Sequence, residues 1–156
     1  MLRWILLLLT HACALAAGFA AGIYVLPILT APPAPDAATL RAAEGSILFK
    51  ARFERALKGS DFLHWGEGEV RLSARAIAHE GKLAPGPDYK LYLVKEFVDT
   101  REGFLKVKAQ AQRVGDVKTF DGFLLDVPAG IDVGAYTTAL VWCEAFSQFI
   151  TAAKYR

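Results

Sequence analysis

Apolar residues run from Trp4 to Ala31 without a single charge, and Thr10-His11 is the one polar pair among them. A run of this length exceeds the roughly 20 residues that cross a hydrocarbon core and the about 7–15 of a cleaved signal's apolar centre. Residues 1–31 are therefore read as an uncleaved signal anchor in one transmembrane helix. Cleavage near Ala12, Ala14 or Ala17, where small residues abound, is the rival reading. Ala31-Pro32-Pro33-Ala34-Pro35 then denies the backbone its donors and reads as a stiff spacer. Residues 32–44 form this linker, with a brief helical stretch over Asp36–Glu44, and residues 45–156 form the folded domain, starting near Gly45.

From there the period changes to two, the spacing of strands with one face buried. Ile47, Phe49, Ala51 and Phe53 alternate with Ser46, Leu48, Lys50 and Arg52, and Lys58-Gly59-Ser60-Asp61 turns the chain. Val70, Leu72 and Ala74 make the next apolar face, a short strand follows over Arg75–His79, and Glu80-Gly81 reads as a turn. Gly66-x-Gly68 reads as a turn or bulge rather than a phosphate loop, since no helix follows it. Leu83-Ala84-Pro85-Gly86-Pro87-Asp88 is the strongest breaker, after which Tyr89, Leu91 and Leu93 resume alternation. Phe97–Arg113 fits one helical turn leading into a strand as well as a longer helix, and Gly115-Asp116 is expected to close it. Phe123, Leu125 and Val127 alternate again, and Pro128-Ala129-Gly130 turns toward an apolar strand pair within Tyr136–Tyr155. Turn signals every 8–12 residues or so predict an all-β, antiparallel β-sandwich behind the one N-terminal helix.

Length and charge narrow the partners. A chain of 156 residues supports one cored domain, and its 18 basic and 16 acidic residues form no cationic block or stripe. Nucleic acid is excluded as a partner on that ground, because phosphate binding needs clustered cations. Arg3 is the only basic residue before Arg41, and the positive-inside rule places the N-terminus in the cytoplasm. The expected location is the inner membrane, single-pass, with the C-terminal domain in the periplasm. The partners expected are the membrane itself and an envelope protein or redox partner. Gly18-x-x-x-Gly22 has the spacing of a helix-pairing motif, although small residues are common enough here for chance to produce it.

Cys143 is the only cysteine beyond Cys13, and Cys13 lies in the apolar segment, so no disulfide can form within the domain. By strand parity Cys143 shares a face with Val141 and Ala139, opposite Trp142 and Glu144. If Glu144 meets water, Cys143 points into the core, where a free cysteine is a small, inert hydrophobe. The competing redox role needs access to the sulfur and a neighbour such as Lys90 or His64 to lower its pKa. His64, His79 and Cys143 offer the ligand types of a blue-copper centre, but no axial methionine and no close spacing accompany them, so no metal site is assigned. A Cys-x-x-Cys-His motif for haem is missing, no catalytic constellation emerges, and the cofactor stays unknown.

The motifs Trp65-Gly66-Glu67-Gly68, Ala84–Leu93, Val114–Lys118 and above all Val141-Trp142-Cys143-Glu144 with Phe146 and Phe149 have a familiar arrangement. Over residues 45–153 the chain resembles the DM-thirteen domain family, also called the electron-transfer DM domain, in its short bacterial membrane-anchored form. The resemblance implies a β-sandwich and a redox role centred on one cysteine, which maps onto Cys143. A non-enzymatic envelope module that binds a protein or ligand through an aromatic or loop surface is the alternative.

Overall fold

The computed structural model describes residues 1–43 and 46–156. Gly45, the expected start of the domain, and Glu44, the expected end of the linker helix, lie outside them. Helix α1 (Leu2–Thr30) is 29 residues long and none of them is buried. It is long and apolar enough to cross a membrane. Its polar side chains turn back on their own backbone: Thr10 Oγ1 donates to Leu7 O at 2.9 Å, His11 Nδ1 lies 2.7 Å from the same oxygen, and Thr30 Oγ1 donates to Leu26 O. Such local bonds are how a helix keeps polar groups out of contact with hydrocarbon. Helix α2 (Ala37–Ala43) follows Asp36, whose carboxylate accepts from Thr39 N at 2.7 Å, and Leu40 is its buried residue against the domain.

Eight strands then form two antiparallel four-stranded sheets among the described residues: β1 (Ile47–Phe53), β2 (Gly66–Ser73), β3 (Ala76–Leu83) and β6 (Phe123–Asp126) in one, and β5 (Gln112–Val117), β4 (Tyr89–Val94), β7 (Thr138–Cys143) and β8 (Gln148–Lys154) in the other. This is the predicted β-sandwich behind one helix. The inward residues of both sheets, among them Phe53, Val70, Ile77, Leu91, Val141 and Phe123, form a common core. A second core lies outside the second sheet, where helix α3 (Arg101–Val107) lowers Phe104 onto Trp142 and Tyr92, with ring centroids 4.8 and 5.2 Å away. Thr100 caps this helix, accepting from Gly103 N. The ambiguous Phe97–Arg113 segment thus resolves as a short helix and then a strand.

Four local expectations fail, three of them at glycines. Glu80-Gly81 is no turn but the middle of an eight-residue β3 that runs on to Leu83. Gly66-x-Gly68 is likewise inside β2, with Gly68 at φ 124° and directly opposite Gly81. A Cβ on Gly81 would stand 2.0 Å from Glu67 O, and one on Gly68 2.3 Å from Glu80 O. These glycines serve close backbone approach, which sequence cannot tell from a turn. Gly115-Asp116 continues β5, because Asp116 is held across the sheet surface by Lys90 and Arg113. Ala74 leaves the strand for an exposed turn in which Ser73 Oγ accepts from Ala76 N at 2.9 Å. The apolar strand pair expected within Tyr136–Tyr155 is β7 and β8, of which β7 lies between β4 and β8 while β8 ends its sheet.

Candidate functional site

The motif Val141-Trp142-Cys143-Glu144 closes strand β7, and alternation distributes it over two environments. Val141 and Cys143 face the core between the sheets, and Trp142 faces the second core under α3. The expected opposition of Cys143 and Glu144 is therefore present, with one addition: the outer face of β7 is covered too. Glu144 takes part in that cover. Its carboxylate accepts from the Tyr92 hydroxyl and from Lys108 Nζ at 2.5 Å, and the Lys108 ammonium stands 5.4 Å over the Trp142 ring. Burial raises the Glu144 pKa, but the Lys108 and Tyr92 bonds outweigh it and hold the carboxyl below its ordinary value.

On the other face, Cys143 pairs with Tyr89 at the end of the ladder, and Glu144 N extends the pairing by one bond to Asp88 O at 2.9 Å. The chain then turns through Ser147, at φ 48°, into β8. Beside the thiol is a cavity of about 220 Å³, mostly apolar, bounded by Tyr89, His64, Phe146, the Pro85–Pro87 loop and, from α1, Ile23 and Tyr24. Gly86 admits Tyr89, because a Cβ there would lie 2.3 Å from its hydroxyl oxygen. Cys143 itself is only 2% exposed. Burial raises its pKa, against the opposing pull of the backbone N–H groups of Phe146, Asp88 and Ala145, so the thiol is protonated at neutral pH. Tyr89 is driven up as well, by burial first and then by the neighbouring Cys143.

Of the two neighbours expected for Cys143, the structure brings His64 to the cavity and keeps Lys90 away. Lys90 pairs with Trp142 across the ladder and is bound to Asp88 at 2.6 Å and Asp116 at 3.2 Å, which together outweigh burial and raise its pKa. His64 is oriented by Asp61, which its sequence context marks only as a turn residue. Asp61 Oδ1 accepts from Leu63 N and His64 N at 2.7 and 2.8 Å, and its carboxylate lies 2.9 Å from His64 Nδ1. That contact assigns the proton to Nδ1 and leaves Nε2 as the acceptor. The Asp-x-x-His spacing within a turn was the available signal for it.

His79, the third candidate, is fully buried between Phe53 and Phe123, with ring centroids 5.1 and 5.0 Å away. Its Nε2 donates to Glu67 O at 3.0 Å while Nδ1 has no hydrogen-bond partner. Burial lowers its pKa to about 4, so it is a neutral core residue. Among the described residues no three His, Cys, Asp or Glu side chains are grouped to hold a metal ion.

The architecture is thus a two-sheet sandwich behind one helix long and apolar enough to cross a membrane, with Cys143 closing an interior strand beside a cavity that His64 borders. The chain belongs to the electron transfer DM13 family, whose family model matches residues 57–155 and so points to an electron-transfer-associated role. No curated protein and no solved structure matches the chain. The family match begins after β1, which completes the first sheet from outside the matched region.

Proposed function

We propose that this is an inner-membrane protein whose periplasmic sandwich exchanges electrons with an envelope partner through Cys143. The observation that carries the reading is the cavity that Cys143 shares with the Asp61-oriented His64. In the proposed step the Cys143 thiol gives its proton to His64 Nε2 and its sulfur attacks one sulfur of an oxidised partner's disulfide. The new S–S bond joins the two proteins, the partner's own S–S bond breaks, and its second sulfur leaves as a thiolate. A thiolate of a reduced dithiol protein then attacks the partner's sulfur of the mixed disulfide, and Cys143 leaves as a thiolate and recovers its proton from His64. The donor's second thiolate displaces the partner's sulfur, so the partner's disulfide ends reduced and the donor's dithiol ends as a disulfide. The periplasmic orientation rests on Arg3, the sole basic residue before Arg41.

A second reading has its own observation. Cys143 at 2% exposure with a raised pKa fits an inert core residue of an interaction module. The two part on thiol kinetics in the full chain carrying Cys13→Ala, purified in mild detergent. A redox Cys143 forms mixed disulfides with a small aromatic disulfide far faster than the protein unfolds, and His64→Ala slows that reaction. Reaction only at the rate of global unfolding, with no effect of His64→Ala, would leave the interaction module as the function.

A further inference from the structure

We infer that the end of the sandwich nearest the anchor is itself seated in the bilayer, with Phe62, Leu63 and Phe146 inserted among the lipid headgroups. The inference goes beyond the electron-transfer reading and rests on α1 spanning a membrane. Trp4 and Tyr24, aromatic residues of the kind that line membrane interfaces, stand twenty positions apart on one continuous helix. At about 1.5 Å per residue they are roughly 30 Å apart along the axis, the thickness of a hydrocarbon core. Trp4 then marks one interface and Tyr24 the other. Ala20, Ile23 and Tyr24 share a cavity wall with Leu63, Pro85 and Phe146, so these domain residues sit at the depth where hydrocarbon gives way to headgroups.

Exposure at that end agrees. Phe62, at 84%, and Phe146, at 54%, are the two most exposed large apolar side chains of the folded domain. Both project from loops at the end where α1 meets the sandwich, Phe146 in the β7–β8 turn and Phe62 beside Leu63. At the opposite end the Pro128-Ala129-Gly130 turn exposes no large apolar side chain, and the start of β1 exposes only the aliphatic Ile47 and Leu48, at 37% and 52%. Burial of apolar surface at a lipid interface is favourable, and aromatic rings suit that layer.

The test is site-directed spin labelling of the full chain in single-copy lipid nanodiscs, in a background carrying Cys13→Ala and Cys143→Ala. Single cysteines go in as Phe62→Cys, Phe146→Cys, Ala129→Cys and Leu15→Cys, all at exposed positions. Labels at 62 and 146 should collide with dissolved oxygen more than with a water-soluble nickel chelate, the label at 129 should do the reverse, and the one at 15 should report the hydrocarbon core. Nickel accessibility at 62 and 146 equal to that at 129, with 15 still in hydrocarbon, overturns the inference while leaving the anchor. A water-exposed label at 15 overturns both. Dipolar broadening at 62 or 146 when discs hold two chains, together with nickel accessibility in single-copy discs, would assign the patch to a second copy and overturn membrane seating.

Discussion

The two faces of strand β7 carry adjacent residues of one motif and have opposite construction. On the outer face Trp142 is sealed under Phe104, and Glu144 is tied to Tyr92 and Lys108, so the aromatic ring is covered and the ionised groups beside it are paired. On the inner face Cys143 borders a cavity bounded by a proline loop, a surface turn and helix α1. A motif with Trp, Cys and Glu in succession therefore does two jobs: one residue holds the layers together and its neighbour is left beside open space. Space next to a buried sulfur has no packing value, whereas space next to Trp142 would be costly.

The largest expected difference follows directly. Trp142→Ala removes a fully buried indole from between sheet and helix and should destabilise the full chain by about 3–5 kcal/mol, read as a lower urea midpoint at unchanged slope. A loss under about 1 kcal/mol would mean that α3 closes over the gap and that the outer face is not rigid.

Acid should distinguish the layers next. His79 in the inter-sheet core has a folded pKa of about 4 against an ordinary 6.5, so its neutral form is the one folding favours. That stability is full above pH 6.5 and is lost as pH falls from there toward 4. At pH 5 the loss is about 2 kcal/mol. Glu144 has the opposite chemistry with the same sign: its pKa is held below 4.5, so its contribution persists above 4.5 and goes only as pH falls through the lowered value. The core layer should therefore weaken first. Urea midpoints measured from pH 7 to 4.5 should slope downward, and His79→Leu should flatten that slope whatever it does to stability at pH 7.

Much of this layout was legible from alternation, and the parts that were not have specific causes. Period two located β1, β4, β6 and β7 because their inward residues recur at every second position, even where, as in β7, both faces are buried, and it set Cys143 opposite Trp142 correctly. It failed at Gly68, Gly81 and Gly115, where glycine permits a close approach or sits under Leu125 rather than ending a strand. The cover over Trp142 was hidden as well, since Lys108 and Glu144 are 36 positions apart and no local pattern links them. His64 was visible as a candidate, but its orienting Asp61 was read as a turn residue, and Lys90 was equally plausible until Asp88 and Asp116 claimed it.

A smaller effect is expected from the polar cover itself. Lys108→Met keeps the length of the side chain but leaves Glu144 with only Tyr92, and should cost about 1.5 kcal/mol in the same urea assay at pH 7. That difference should shrink as pH falls through the Glu144 titration, because protonation removes the charge that Lys108 pairs with. A difference that persists unchanged into acid would assign the role of Lys108 to packing over the Trp142 ring.

The smallest effect belongs to Cys143, and its smallness is what makes the residue testable. Cys143→Ala deletes one sulfur that already borders a cavity, so the surroundings lose few contacts, and the expected cost is about 1 kcal/mol or less. The backbone ladder to Tyr89 and Asp88 does not depend on the side chain and stays intact. An electron-transfer defect in a Cys143→Ala protein with a near-native urea midpoint would then belong to the sulfur and not to unfolding. A cost above about 3 kcal/mol would show instead that the sulfur is packed as tightly as Trp142, that the cavity closes in solution, and that both faces of β7 are structural.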